Sequence, residues 1–194
     1  MTSIVKKTGL DTSNPASYRP FSNLNTISKV LKRLFLARLI PHVSPSICLL
    51  QSAYRQFHST ETVLLKIASD LFEAAKSGCV TVLVALDMSA AFDSIDHQVL
   101  VQRLEHMFGI KRPALSGAKS YLEGRSCFVK VGNAMLTTLS SDTSVPQGSV
   151  LGLLFVSLFT TPIGDVISSL RVKFHQYAED MQIYLAINKD SLSK

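Results

Sequence analysis

The spacing of apolar residues predicts an amphipathic helix in two places within the first 80 residues. The first helix begins at Asn25 or Thr26 and ends at Pro41. Its apolar face consists of Ile27, Val30, Leu31, Leu34 and Phe35. The second helix is terminated by Gly78. Its apolar face consists of Leu64, Ile67, Ala68, Leu71 and Phe72. Residues 1–20 are rich in Asn, Ser, Thr and Pro, and they predict an irregular lead-in.

The pattern after residue 80 alternates between strand and helix signals. The run VTVLVALD is continuous, of strand length and dominated by β-branched residues, which is typical of a strand buried on both faces, and it ends at Asp87. A third helix follows that Ser94 or Asp96 can cap, and Pro113 can open a short fourth helix. The stretch RSCFVKVGNAMLTTL then predicts a hairpin with its turn at Gly132-Asn133.

The C-terminal part of the chain contains a tight loop, an apolar helix and a second hairpin. Pro146, Gln147 and Gly148 form the loop, so that backbone amides and a Gln side chain can face a ligand at the helix start. Pro162 and Gly164 are expected to break the helix. The hairpin is predicted from VKFHQYAEDMQIYLAI, in which two strand-like runs flank an acidic turn.

The acidic turn consists of Glu179 and Asp180 and has two interpretations. Adjacent carboxylates repel each other, so the pair is costly unless a cation such as a metal ion lies beside it. A solvated turn also tolerates two acids, because Asp is a common turn residue. Asp87 favours the metal interpretation, since an acid at the end of a buried strand needs a partner. For Asp93 and Asp96, by contrast, capping and surface roles are expected.

Composition narrows the class of protein. A chain of 194 residues suits one domain, and 46% apolar against 18% charged residues excludes a disordered segment. Three cysteines in no CxxC or Cys/His pattern exclude a disulfide framework and a zinc site. Without a signal-peptide core or an apolar run of about 20 residues, the sequence indicates a soluble intracellular protein without a membrane partner. Nucleus and cytoplasm both remain open as its location.

The charge is concentrated at the N-terminal end. Residues 1–60 contain eight Lys and Arg against the single acid Asp11, a net charge of +7, and the remaining residues carry a net charge of −1. A basic part next to clustered carboxylates favours a surface for a polyanion, either nucleic acid or nucleotide triphosphate. The alternative is a basic, solvated helix face.

Five segments of the chain read, in order, SYRPFSNLNTISKVLKRLFLARL, QSAYRQFHSTET, VALDMSAAFDSIDH, VPQGSVLG and FHQYAED. Together they resemble the fingers and palm of a reverse transcriptase of a LINE-type (non-LTR) retrotransposon. The resemblance implies an α/β (α+β) fold: a polymerase palm with an antiparallel sheet and a catalytic hairpin, and mostly helical fingers. It places basic fingers at about residues 1–80 and mainly palm at about 80–194, with the thumb and the endonuclease missing.

The resemblance also implies the site residues and their ligands. Asp87, Glu179 and Asp180 would be the catalytic carboxylates of a two-metal nucleotidyl transfer to a primer 3′-hydroxyl. They would bind Mg²⁺, with Mn²⁺ as a possible substitute. The partners would be an RNA template, a DNA primer and deoxynucleoside triphosphates. The residues implied to contact the nucleotide are Phe92, Gln147, Gly148, Arg19 and Arg55. The nucleic acid is expected to contact the basic residues Lys29, Lys32 and Arg33.

The chain departs from the family pattern at three places. Glu179 stands where the family has Asp, and its extra methylene moves the carboxylate by about 1 Å, which can cost roughly 100-fold in rate. Leu153 replaces a usual Pro. Gly117-Ala118 replaces an aromatic-containing pair. A Gly inside the helix costs about 1 kcal/mol relative to Ala, and the missing ring is expected to leave a cavity.

These departures leave two main hypotheses for function. One is a polymerase domain that is weakened or inactivated by truncation and by Glu179. The other is a non-catalytic remnant that at most binds nucleic acid. An unrelated binding module would require the five segments to match by coincidence. The active-site hypothesis further requires Asp87 and Asp180 to lie together on a common face of the sheet.

Overall fold

A computed structural model describes residues 2–11, 13–14, 17–21, 25–88, 90–127, 130–131, 134–135, 139–140 and 142–188. The chain divides into two compact units, and each contains two separate segments of sequence. Unit 1 comprises residues 1–45 and 92–155, and unit 2 comprises residues 46–91 and 156–194. The division into fingers and palm near residue 80 stays a prediction.

The elements follow in the order β1 (Thr2–Val5), β2 (Tyr18–Phe21), α1 (Thr26–Val43), α2 (Thr60–Lys76), β3 (Cys79–Asp87), α3 (His97–His106), α4 (Ala114–Leu122), β4 (Ser126–Cys127), β5 (Lys130–Val131), β6 (Ala134–Met135), β7 (Leu139–Ser140), α5 (Gly152–Ser169), β8 (Lys173–Tyr177) and β9 (Asp180–Asn188). A short 3-10 turn at Ser44–Ser46 follows α1. The mixture of helices with antiparallel strands confirms the predicted fold class.

Unit 2 is built on an antiparallel sheet with the strand order β3-β9-β8. Helix α2 packs on one face of this sheet, where Val63 and Ile67 meet Tyr184. Helix α5 packs on the other face, where Ile167 meets Phe174 and Met181. Because strand residues alternate between faces, Met181 and Tyr184 can bury their side chains on opposite sides of β9.

The prediction that β3 is buried on both faces is wrong. Its residues from Val82 to Asp87 are exposed, including Leu83 and Leu86. The strand lies at one edge of the sheet and pairs with β9 along its other side. A continuous apolar run identifies strand length, but it does not determine the strand's position in the sheet.

The apolar faces of α1 and α2 also differ from the prediction. On α1, Ile27, Leu31 and Leu34 are exposed, and the buried residues are Leu39 and Val43 near its C-terminal end. On α2, the buried residues are Val63, Ile67 and Asp70. Of the residues predicted to face the core on α2, the exposed ones are Leu64, Ala68 and Phe72. Asp70 lies on the buried face because its carboxylate accepts hydrogen bonds from Tyr184 and Lys173 of the sheet.

Two prolines and a glycine lie inside helices that they were predicted to end. Pro41 lies within α1, and Pro162 and Gly164 lie within α5. Burial of residues such as Leu158 on α5 offsets the cost of about 3 kcal/mol for an internal proline. Gly164 has a packing role, because a Cβ there would lie 3.1 Å from Cys48 Sγ and 3.3 Å from Phe174 Cζ.

The predicted lead-in is not wholly irregular, because β1 and β2 pair as an antiparallel hairpin within it. Other predictions are confirmed. Asn25 accepts a hydrogen bond from Ile27 N at the start of α1, and Asp96 caps α3 through Val99 N. Strands β5 and β6 pair on either side of the predicted turn, although Gly132-Asn133 itself lies outside the described residues.

Helix α5 is long and apolar enough to cross a membrane by length and composition alone. More than half of it, 56%, is buried inside the protein, and the core helices of soluble proteins can be equally long and apolar. Phe155 and Leu158, for example, are fully buried. The helix therefore serves as a core element of the fold.

A buried carboxylate, Asp70, connects α2 to the sheet. It is 7% exposed and accepts hydrogen bonds from Tyr184 Oη at 2.6 Å, Lys66 Nζ at 2.6 Å and Lys173 Nζ at 3.1 Å. Burial alone would raise the pKa of this carboxyl group, but the three hydrogen bonds outweigh burial and lower its pKa to about 2. Helix α2 is thus fixed to both β8 and β9.

We expect stability to depend on the ionisation of Asp70. Because its pKa is lower in the folded state, its contribution is complete above the ordinary value of 3.8 and is lost as the pH falls towards 2. Asp70→Asn should cost about 1–3 kcal/mol at pH 7. It should also flatten the fall of the unfolding free energy between pH 4 and 2, measured by urea denaturation. Asp165→Asn removes an exposed carboxylate of the same unit and should keep the wild-type fall; equal curves for all three proteins would contradict this role.

Candidate active site

The candidate active site lies at the end of the sheet in unit 2. Asp87, the last residue of β3, is the direct cross-strand partner of Asp180, the first residue of β9. Met88 and Glu179 are the next cross-strand pair, and Met88 N donates to Glu179 O at 3.3 Å. Because hydrogen-bonded and non-hydrogen-bonded pairs alternate in an antiparallel ladder, Asp87 and Asp180 form a non-hydrogen-bonded pair. In such pairs the Cα atoms are about 4.5 Å apart and both side chains share one face. The requirement that Asp87 and Asp180 share a face is therefore met.

The two aspartates fit a hard divalent cation. Both are exposed, and the ion pairs among the described residues belong to Asp70. Two negative charges held this close favour a cation between them. Mg²⁺ is commonly held by one or two carboxylates together with water and substrate phosphates. Asp87 and Asp180 supply that donor set.

Glu179 is not assembled with the two aspartates into a three-ligand cluster. Within the described part of the chain, no three His, Cys, Asp or Glu side chains are close enough to hold a metal ion. Glu179 lies in the turn between β8 and β9, one residue before Asp180. The charge of Glu179 instead acts on the hydroxyl group of Tyr54. Burial first, and the negative charge of Glu179 second, raise the pKa of Tyr54 to about 12. The role of Glu179 as a metal ligand stays a prediction.

The turn that carries Glu179 has an unfavourable backbone conformation. Tyr177 pairs with Asp180, so Ala178 and Glu179 form a two-residue turn, and Ala178 has a φ of 56°. A residue with a Cβ in this left-handed region costs about 1–2 kcal/mol. The surrounding structure must therefore hold the turn in place.

Gln51 holds it. Its side-chain oxygen accepts from Ala53 N at 2.9 Å and Ala178 N at 3.2 Å, and its amide donates to Ala178 O at 3.3 Å. Gln176 Nε2 donates to the same carbonyl at 3.1 Å. Both glutamines are 2% exposed or less. These bonds anchor the acidic turn to a segment more than 120 residues away in sequence.

Sequence reasoning missed Gln51. Gln51 opens the segment QSAYRQFHSTET, but a single glutamine carries no periodic signal. In the structure, residues around Gln51 extend the sheet: Ser52 N donates to Gln176 O at 3.0 Å, and Gln176 N donates to Leu50 O at 2.8 Å. The segment thus pairs with β8 in parallel.

Two arginines were predicted to contact phosphate. Arg55 is half-buried, and its Nη1 donates to the carbonyl oxygens of Cys48 at 3.3 Å and Gln51 at 3.2 Å. It therefore stabilises the loop that carries Gln51. Arg19 lies on β2 opposite Ile4, and its side chain lies outside the described residues. Phosphate contact by either arginine stays a prediction.

Unit 1 brings Phe92 to the loop of Gln147 and Gly148. Val145 N, just before this loop, donates to Phe92 O at 2.8 Å. Gly148 has a φ of 81°, a conformation that favours glycine. The Phe92 ring lies 3.6 Å from the position of a Cβ on Gly152. Phe92 therefore lies beside the residues that flank Gln147 and Gly148.

Ser149 fixes the same loop to α5 and α4. Its hydroxyl accepts from Gly152 N at 3.0 Å and bonds the hydroxyl of Tyr121 at 2.6 Å. A Cβ on Gly152 would lie 2.7 Å from Ser149 Oγ, so glycine is required there. The Tyr121 ring also packs edge-on against Phe155. Tyr121 thus positions the loop from α4.

The predicted nucleic-acid contacts on α1 separate into two groups. Lys32 packs over the Tyr121 ring, with Nζ 5.0 Å from the ring centroid. Lys29 and Arg33 lie about 60° and 100° around the helix from Lys32, at 100° per residue. Of the three, only Lys32 faces α4.

Comparisons with known proteins give one consistent result. The family model described as reverse transcriptase (RNA-dependent DNA polymerase) matches residues 4–194. A probable RNA-directed DNA polymerase from transposon BS of Drosophila melanogaster is 33% identical over 162 residues, which cover 82% of this chain and 18% of that protein. The RNA-directed DNA polymerase of the Drosophila melanogaster mobile element jockey is 30% identical over 188 residues, which cover 93% of this chain and 20% of that protein. The chain thus spans about a fifth of these relatives.

The fold is also similar to a solved structure. Apo telomerase from Candida tropicalis matches with a TM-score of 0.61 and 15% identity, over 86% of this chain and 33% of that chain. Identity at this level supports the fold alone. It agrees with the predicted palm-type arrangement, in which an antiparallel sheet ends in an acidic hairpin.

We expect Gln51→Met to destabilise unit 2. Methionine has a similar length but leaves buried backbone groups at Ala53 and Ala178 without partners, at about 1–3 kcal/mol per group. Urea denaturation should show a total loss of about 2–5 kcal/mol. Gln56→Met, the same change at an exposed position nearby, should stay within about 0.5 kcal/mol of wild type. If both variants were equally stable, the Gln51 bonds would not be holding the turn.

Proposed function

The chain belongs to the reverse transcriptase (RNA-dependent DNA polymerase) family, and from this we propose that it performs nucleotidyl transfer to a primer 3′-hydroxyl, copying an RNA template into DNA for a retrotransposon. Asp87 and Asp180 would hold the catalytic metal. The observation that carries this proposal is their direct pairing at the end of the sheet. Members of this family generally use a divalent metal.

The chemistry places limited demands on the protein side chains. A bound Mg²⁺ or Mn²⁺ would supply Lewis acidity to the primer hydroxyl and to the phosphate oxygens of the nucleotide. Asp87 and Asp180 would bind and orient it from one face of the sheet. The turn at Ala178 would keep Asp180 within the sub-ångström tolerance that such positioning requires.

Other residues would bind and select the nucleotide. Phe92 would lie under the sugar and exclude a 2′-hydroxyl, so that deoxynucleoside triphosphates are preferred. Gln147 and Gly148 would contact the new base pair. Arg19 and Arg55 would contact phosphate, and Lys32 of α1 would contact the template or primer. These roles rest on the family resemblance together with the proximity of Phe92 to the loop.

Glu179 makes reduced activity the expected state of this chain. It stands where the family has Asp, and its carboxylate lies outside any three-ligand cluster of the described residues. The alternative function is a remnant that binds nucleic acid without catalysis, which the +7 charge of residues 1–60 favours.

Primer extension tests the catalytic proposal. On a primed RNA template with Mg²⁺ or Mn²⁺, Asp180→Ala should reduce the extension rate at least about 100-fold, because one of the two metal-binding carboxylates is lost. Glu179→Asp should raise the rate, because a shorter side chain restores the position that the family uses.

Asp142→Ala is the matched control. It removes an exposed carboxylate outside the candidate site and should extend like wild type. Extension that survives Asp180→Ala would contradict the proposed site. A lack of extension by every version, including Glu179→Asp, would favour the non-catalytic remnant.

A further inference from the structure

Unit 1 contains two basic grooves that meet along α1. The first has a volume of about 730 Å³ and lies between α1 and α4 beside Lys32 and Arg125. The second has a volume of about 510 Å³ and lies beside Arg38 and the segment before α4. Phe35 and Gly117 line both grooves, so the two adjoin. We call them together the α1 groove.

Gly117 keeps this groove open. A Cβ at this position would lie 3.0 Å from Cε2 of Phe35, so a larger residue would force the ring to move. The family usually has an aromatic-containing pair where this chain has Gly117-Ala118. Gly117 and Phe35 line the groove on both sides.

The charge of the groove has one sign. The basic residues that line it are Lys32, Arg125, Arg38, His42, Lys111 and Arg112. Among the described residues that line it, none is Asp or Glu. A concave surface lined by charges of one sign concentrates the field and attracts a ligand of opposite charge.

Two of these cations share one aromatic ring. Lys32 Nζ lies 5.0 Å and Arg125 Cζ 4.4 Å from the Tyr121 centroid, and the Arg125 Nε–H donates to the Tyr121 carbonyl oxygen. Burial and, secondarily, the charge of Arg125 lower the pKa of Lys32. An anion bound at this point would relieve the repulsion between the two cations.

The apolar lining distinguishes the ligand from a simple inorganic anion. Ile27 is 71% exposed and Leu31 is 62% exposed, and both line the groove next to Lys32. Arg38 lies six residues after Lys32, about 9 Å further along the helix axis. A ligand that follows the groove must therefore carry several negative charges along its length and apolar or planar groups between them. A single nucleic-acid strand has this chemistry.

We propose that the α1 groove binds the sugar–phosphate backbone of a single nucleic-acid strand, with Lys32 and Arg125 at one phosphate and Arg38, Lys111 and Arg112 at others. This inference rests on the proposed function and makes it more specific. It adds Arg125, Arg38, Lys111 and Arg112 to the nucleic-acid surface and excludes Lys29 and Arg33 from it.

The test measures binding of a labelled 16-nucleotide single-stranded RNA by fluorescence anisotropy, without divalent metal or nucleotide. Lys32→Gln/Arg125→Gln should weaken binding roughly tenfold and lower the slope of log K against log salt by about 0.7, since the pair contacts one phosphate and each phosphate contact on a single strand contributes about 0.7. Lys111→Gln/Arg112→Gln should do the same, and both of its positions are exposed, so folding should be unaffected.

Lys29→Gln/Arg33→Gln is the matched control, because it removes the same charge from α1 outside the groove. It should bind within twofold of wild type. Equal weakening by the control and the groove variants would overturn the proposal, and so would unchanged binding by Lys111→Gln/Arg112→Gln. Displacement of the RNA by micromolar tripolyphosphate at matched ionic strength would assign the groove to a free triphosphate and would also overturn it.

The RNA-binding experiment does not depend on catalysis. Asp180→Ala should bind the RNA like wild type while losing extension. If the groove variants bind normally and wild type extends a primer, the groove assignment fails and the polymerase proposal stands. If the groove variants lose binding and no version extends, the groove assignment stands and the catalytic proposal fails.

Discussion

The arrangement of the candidate active site depends on a backbone turn that is unfavourable by itself. Ala178 occupies the left-handed region, and Gln51 and Gln176 bond its amide and carbonyl groups from inside the protein. With the turn fixed, β8 and β9 have one register and Asp180 begins β9, which in turn pairs Asp180 with Asp87 on β3. A shift of one residue would move every side chain of β9 to the other face. Buried amide hydrogen bonds thus hold the turn that leads into the exposed carboxylate of Asp180.

Much of the fold could be predicted because its signals are local. The caps at Asn25 and Asp96 and the strand that ends at Asp87 are all present. The errors concern which surface of an element is buried, since this depends on neighbours that a sequence pattern does not specify. Asp70 shows the reason: a charged residue lies inside α2 because Tyr184 and two lysines satisfy it.

Part of the candidate active site could also be predicted, because its two aspartates are local features of the sequence. Two aspartates at strand ends have a clear chemical meaning, and the structure pairs them. Gln51 carries no such meaning in the sequence, because a glutamine becomes a positioning residue only through the turn it meets in the fold. Tyr121 is a comparable case: it bonds Ser149 on the loop and lies under Lys32 and Arg125. One ring therefore connects the loop to the α1 groove.

The exposed strand β3 affects how the isolated chain will behave in solution. In the part of the chain that the structure describes, β3 has a strand partner on one side only, and Val82, Val84 and Leu86 on it are exposed. An open, apolar strand edge is a template for intermolecular pairing and hence for aggregation. Such a chain requires low concentration, or a lysine introduced on the outer edge of β3, to remain monomeric. The strand that presents Asp87 therefore also presents an edge that favours aggregation.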